Sequence, residues 1–389
     1  MKNILDKNCL AKELQFLLFL IQCDNHRSLE DKVYYTDFDW DYFLQLVYHH
    51  RLYPLVYVNL KKIGYAVPGS VLEELKNKYQ QNTFRMLNFC SEMERVIHAL
   101  ELEGIRTLML KGPVLSESLY GDLSMRTSKD LDILIPIDEL DHVRESLIKL
   151  GYSFKQDLPP VLNEWKWRWH HISGIHQQNG IQIEVHWRLS HDSGNEPSFD
   201  ELWSRKRRST QTRSPVYFLG SEDLFMYLIT HGARHGWYRL RWLVDIDKML
   251  IKGINEDNLI LLLNKYKSRQ LAGQALILLS LFFNRSISGK FEPLMQNNHS
   301  RRLARYAFDF INNMVVMENS EPSAKYQLSL KTWLQKVNFL IRRMHPDSLD
   351  RNLLHLPKQL FFLYFLFRPF LWVIRKLKTI PPQVKNSNS

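Results

Sequence analysis

Apolar positions along this 389-residue chain recur with two different periods, and the switch between them divides it. Over 38–58 and 69–102 they fall at helical spacing, so residues 1–100 read as an N-terminal helical lobe. Between 101 and 220 short alternating runs mix with helices. Ile105 to Leu110 reads as a strand running into Lys111-Gly112-Pro113 and then a helix from Val114 to Tyr120. Ile137 to Leu150 reads as a further helix, with Leu140, Val143, Leu147 and Leu150 marking one apolar face. Ile181 to Leu189 alternates, which sends Ile183, Val185, Trp187 and Leu189 inward and Gln182, Glu184, His186 and Arg188 outward. From 221 the chain returns to helix, through 259–283 and 301–317, with Gly253 and Pro293 as breaks. This C-terminal helical lobe extends to 380, and 381–389 form a frayed polar tail. No internal repeat is visible. The expected fold class is α+β, a mixed-sheet core between two helical lobes.

One segment breaks the apolar logic. In Asp130-Leu131-Asp132-Ile133-Leu134-Ile135, two carboxylates interrupt an apolar run. Strand alternation puts Leu131, Ile133 and Ile135 into a core and projects Asp130 and Asp132 together from the other face. Like charges so placed repel unless a cation lies between them. Glu184, on the outward face of its own strand, is the natural third carboxylate, and otherwise an exposed strand residue. Upstream, Gly112 permits close backbone approach, Lys111 supplies a point charge for phosphate, and the helix start offers N–H groups. Three carboxylates beside a Lys-Gly turn suit one or two Mg²⁺ (or Mn²⁺) ions, which take hard oxygen ligands and keep substrate phosphates among them.

A second cluster starts at Ser221-Glu222-Asp223, which reads as an N-cap followed by first-turn acids. Leu224, Leu228, His231 and His235 follow at helical spacing, then Gly236, Trp237, Leu240, Arg241, Trp242 and Asp245. His231 and His235 share a face, but Gly232 stands where a metalloprotease pair needs glutamate, so a zinc site is not favoured. Trp237, Trp242 and Asp245 read equally well as packing and helix-pairing residues. His186 either orients a carboxylate or caps the sheet, and Arg126 either contacts phosphate or pairs with Asp130 or Asp122.

The stretch Leu110-Lys111-Gly112, Tyr120-Gly121, Arg126 and Asp130-Leu131-Asp132-Ile133-Leu134 resembles an uncharacterised bacterial nucleotidyltransferase family within the DNA polymerase β-like superfamily. His50-Arg51-Leu52-Tyr53-Pro54, Gly151-Tyr152, Glu184 to Leu189 and His231 to Asp245 extend the likeness over roughly residues 40–250. The resemblance implies a nucleotidyltransferase-type core between the helical lobes, using an NTP, a divalent metal and an unidentified acceptor, with pyrophosphate leaving. It implies Asp130, Asp132 and Glu184 as metal ligands and catalytic groups, and Lys111, Gly112 and Arg126 at the nucleotide. It also implies a pocket lined by His186, His231, His235 and Arg241. Pro113 departs from the superfamily pattern by removing a backbone donor, and the interval from Gly112 to Asp130 is longer than usual. The alternative reading is a non-catalytic nucleotide-binding or partner-binding module that keeps the fold.

Composition narrows the remaining classes. With 45% hydrophobic residues the chain is not disordered, and its net charge of +11 favours anionic partners. Nucleic acid is one such partner, but no zinc-finger or RNA-recognition motif accompanies the basic clusters. Cys9, Cys23 and Cys90 form no close pair, which fits a reducing cytoplasm, and charged residues near Met1 leave no room for a signal peptide. The aromatic segment 360–378 is interrupted by Arg368-Pro369, short of the about 20 apolar residues a spanning helix needs. The expectations for it are packing on the core or a partner, or contact with a membrane surface.

Overall fold

A computed structural model describes residues 10–22, 37–64, 67–154, 165–166, 169–190, 195–210, 212–314 and 324–378. Cys9, Cys23 and the 381–389 tail lie outside the described residues; Cys90 is a free thiol. The chain is an α+β structure in which one seven-stranded mixed sheet is enclosed by helices. The strands are β1 (Leu108–Met109), β2 (Asp130–Leu134), β3 (Tyr152–Phe154), β4 (His171–His176), β5 (Gln182–His186), β6 (Arg207–Arg208) and β7 (Tyr217–Phe218). Their spatial order is β3-β4-β5-β2-β1-β7-β6. β2 runs parallel to β5 and β1 parallel to β7, and the other pairs are antiparallel.

Alternation along β2 sorts its side chains between two cores. Leu131, Ile133 and Ile135 bury with Phe89, Met93 and Val96 of the 34-residue helix Gly69–Leu102 and with Val143 and Leu147 of the helix Leu140–Lys149. Leu134 faces the other way, joining Leu108, Leu110 and the helices Ser221–Arg234 and Leu240–Lys252 in the larger core. That core also takes in the N-terminal helices Lys12–Gln22, Trp40–His49 and Tyr53–Ile63, so helices from before and after the strands pack together on one face of the sheet. Asp130 and Asp132 share that face with Leu134.

The helical run expected over 38–58 is divided. Arg51 adopts a left-handed conformation (φ 56°) and Pro54 sits at the start of the second helix, where its missing N–H is harmless. Ser221 is not the N-cap of its helix: Gly220 holds that position without a side-chain cap, and Ser221 is the first helical residue. The same helix stops at Arg234, because Gly236 and Trp237 both take positive φ and turn the chain into Leu240–Lys252. Trp237, wholly buried, lies across Gly232.

A buried ion pair fixes the entry to β2. Arg126 donates through Nε to both Asp245 oxygens at 3.1 Å and through Nη2 to Oδ2 at 3.0 Å, while Tyr120 donates to Oδ1 at 2.8 Å. Arg241, on the same helix as Asp245, donates to Thr127 Oγ1 at 2.7 Å. Asn82 of the long helix donates to the carbonyls of Ser124 and Arg126 from the other side. Residues 124–127 are thereby clamped between two helices just ahead of Asp130.

The segment 360–378 corrects the membrane expectation. No helix among the described residues is long and apolar enough to cross a membrane. In Tyr364–Lys378, Arg368 turns inward, 3% exposed, and its guanidinium bonds Asp347 at 2.9 Å and also Asp350. Phe361, Tyr364 and Leu371 form a small core of their own. The cationic centre of the segment is spent on a buried carboxylate pair.

Two outcomes test these contacts. A Cβ on Gly232 would fall 2.4 Å from the Trp237 ring. Gly232→Ala should therefore lower the urea midpoint, overpacking of about 1–3 kcal/mol outweighing a helix-propensity gain of at most about 1 kcal/mol. Asp245→Ala should cost about 3–5 kcal/mol by stranding Arg126 in the core, whereas the double change Arg126→Met with Asp245→Leu should cost much less. Chemical denaturation of the three variants checks the difference.

Candidate active site

The parallel pairing of β2 with β5 superimposes the predicted carboxylates. Asp132 lies opposite Glu184, Asp130 opposite Gln182 and Leu134 opposite His186. Glu184 is thus the cross-strand neighbour of Asp132 on the same face. On the other flank Leu110 N–H donates to the Asp132 carbonyl at 2.9 Å, which carries the following Lys111-Gly112 turn alongside. Gly112 caps the helix Pro113–Tyr120 at φ 85°, a conformation open to glycine, and Pro113 occupies the first helical turn.

Asp132 is almost wholly buried, and its charge is compensated. Lys111 Nζ lies 3.5 Å from Asp132 Oδ1, and His186 Nε2 lies 3.1 Å from the same oxygen and 3.3 Å from Glu184 Oε2. Burial disfavours the ionised form of Asp132, but Lys111 and the hydrogen bond from His186 prevail and hold its carboxyl well below the usual range. Glu184 is likewise lowered against its burial, chiefly by His186. For Asp130 the balance falls the other way: burial, then the neighbouring Asp132 charge, pushes it up to about 6 against the pull of Lys111. Burial works against the charged forms of Lys111 and His186 too, yet the carboxylates raise both. Asp132 Oδ2 remains buried without a hydrogen-bond partner, as does His186 Nδ1.

These residues open on a cavity of about 240 Å³. Lys111, Asp130, Glu184 and His186 form its sheet wall, and Tyr227, His231, Arg234 and His235 form the helical wall. A second cavity adjoins it, sharing Leu189, Ser190, Tyr227, Thr230 and Arg234. His231 and His235 have ring centroids 4.7 Å apart, and His235 stacks on Trp242 at 5.3 Å. Burial lowers both histidines, with Lys111 and Arg234 respectively as the next causes, so they face the pocket uncharged. Neither joins a group of three metal donors among the described residues.

Two residues named from the sequence stand elsewhere. Arg126, 2% exposed, spends its guanidinium on Asp245, and Arg241 spends its own on Thr127; neither lines the cavity. Burial, then Arg126, lowers Arg241 to about 9. Sequence reading also missed four residues: His170, His171, Tyr227 and Arg234. The turn Gln178-Asn179-Gly180 is a hairpin signal that would have paired β4 with β5 and set His171 opposite His186. Tyr227 and Arg234 lie four before and three after His231, on one helix face.

The donor set fits a divalent cation. Donor atoms of Asp132, Glu184 and His186 lie within 4.8 Å of one another, and the buried, unpartnered Asp132 Oδ2 is the kind of lone pair a cation satisfies. His186, donating to two carboxylates at once, supplies positive charge between them.

Among known proteins, two solved structures overlap the chain loosely. The antibiotic-resistance factor ANT(2'')-Ia, a solution structure, is 10% identical and covers 49% of this chain and 95% of its own, with a TM-score of 0.35. An antigenic nucleotidyltransferase-like protein from Paracoccidioides brasiliensis is 15% identical and covers 53% of this chain and 98% of its own, with a TM-score of 0.32. At those scores neither bears on the site. No curated protein matches the chain. A family model described as "Uncharacterised nucleotidyltransferase" matches residues 36–284, which is more than half of the chain and includes the whole carboxylate pocket. The chain belongs to that nucleotidyltransferase family.

Proposed function

We propose that this protein transfers a nucleoside monophosphate from an NTP to an acceptor, with a divalent cation, Mg²⁺ or Mn²⁺, held by Asp130, Asp132 and Glu184. The observation that carries the reading is that Asp130, Glu184 and Lys111 line one cavity while the buried Asp132, paired with Glu184 across the sheet, lies 3.5 Å from Lys111. When bound, the cation would draw charge from the α-phosphate and from the attacking oxygen. Lys111 and Arg234, which both line the cavity, hold the triphosphate, with Arg234 taking the part that the resemblance gives to Arg126. The acceptor oxygen forms a bond to the α-phosphorus, the bond to the pyrophosphate oxygen breaks, and pyrophosphate leaves with that electron pair. Glu184 takes the acceptor's proton, and His171, 3.8 Å from it and shifted down to about 4 by burial and then by His186, stays neutral beside it. The neutral rings of His231 and His235 and the adjoining cavity offer room for the base or the acceptor.

Release of pyrophosphate from each NTP, with Mg²⁺ and cell extract as the acceptor source, tests the proposal. Asp132→Asn should lower release by about 10²–10³-fold while the circular dichroism spectrum stays that of the parent. Lys111→Met should act mainly by raising the KM for NTP. Turnover that survives Asp132→Asn, or that ignores EDTA, removes the catalytic assignment. Nucleotide binding with no pyrophosphate release would leave the non-catalytic module as the function.

A further inference from the structure

The histidines on the sheet side of the pocket are ordered by a chain of donors. A guanidinium can only donate, so the 3.4 Å contact from Arg234 Nη1 makes His170 Nε2 an acceptor. The same nitrogen lies 3.1 Å from His171 Nδ1, which must therefore donate to it. His171 thereby carries its proton on Nδ1 and a lone pair on Nε2. That lone pair faces Glu184 Oε1 at 3.8 Å, beyond hydrogen-bond distance. Two acceptors pointed at each other across such a gap repel, unless a cation stands between them.

The other atoms needed for a cation are close by. His186 Nε2 sits 3.3 Å from the second Glu184 oxygen and 3.1 Å from Asp132, and a cation bound there would take the place of the proton that it shares with them, which is released to solvent. The donor atoms of His170, His171 and His186 lie within 4.8 Å of one another, as do those of Asp132, Glu184 and His186, and the two groups share His186. Mg²⁺ takes oxygen ligands and keeps its waters, whereas imidazole nitrogen suits the first-row transition ions. A proton on Nδ1 held by an outer acceptor is the usual way a metal-binding histidine is oriented.

We propose that this pocket binds a first-row transition-metal dication through His171 Nε2 and His186 Nε2 together with Glu184 and Asp132, in preference to Mg²⁺. The inference rests on the reading of the pocket as a divalent-cation site and adds the nitrogen ligands and the preference they impose.

Manganese alone serves as the probe, added to the metal-stripped full chain without nucleotide. Electron spin-echo modulation of bound Mn²⁺ should show ¹⁴N coupling from imidazole. His171→Gln should lose part of that coupling and weaken Mn²⁺ binding by about tenfold or more. Mg²⁺ should displace Mn²⁺ only in large excess. Oxygen-only coordination in the parent chain, or displacement by equimolar Mg²⁺, overturns the proposal whether or not the variant folds. Nitrogen coordination without pyrophosphate release from any NTP supports this inference and sinks the transfer reaction. Release with oxygen-only coordination does the reverse, and a chain that takes up no Mn²⁺ overturns both.

Discussion

The parallel pairing of β2 with β5 is the constraint on which the site depends. Parallel strands cannot be joined by a tight turn, so the chain between them must travel out and back. Here it does so through the helix Leu140–Lys149 and the antiparallel pair β3 and β4, and it returns with Glu184 beside Asp132. A shift of one residue in that register would send Glu184 into the core and bring Val185 to the pocket. The apolar residues prevent the slip, because Ile183 and Val185 are wholly buried against the same core as Leu131 and Ile133.

Holding carboxylates together in a largely buried place carries an electrostatic cost, and the surroundings are arranged to offset it. Lys111 arrives from one neighbouring strand and His186 from the other, each close to Asp132. Asp130, which lines the pocket, receives less and is shifted up instead. A structural role for these charges alone would be an expensive way to stabilise a sheet, since apolar residues of similar volume do so at no desolvation cost. Together with the unpartnered Asp132 Oδ2, this favours a pocket kept for a charged ligand.

Arg126 shows how a motif can be legible while its geometry is not. Its position ahead of Asp130 suggests phosphate, and its local neighbours Asp122 and Asp130 suggest surface pairing. The fold instead supplies Asp245, 119 residues away and buried with it. A buried guanidinium takes the nearest buried carboxylate that can meet its fork, and no spacing along the chain encodes which one that is. His170 and His171 were hidden for a related reason: their relevance comes from a hairpin register and from Arg234 of a distant helix. The start of the helix at Ser221 differs from the sequence reading by one residue, as end effects do, but the stop at Arg234 breaks a run that the reading carried on to Asp245.

By itself the sequence determined the alternation that puts Asp130 and Asp132 on one face, the third carboxylate on another strand, the Lys111-Gly112 turn, and the helical periodicity before and after the strands. Those are consequences of local periodicity and turn chemistry, which short stretches of chain dictate. Only the tertiary structure decided which cation meets which carboxylate, which histidines share the pocket, and that Arg126 belongs to the core and Arg234 to the cavity. Charges and hydrogen-bonding groups act across a few ångströms of space regardless of sequence separation, so their pairing exists only once the sheet register and the helix packing have brought them together.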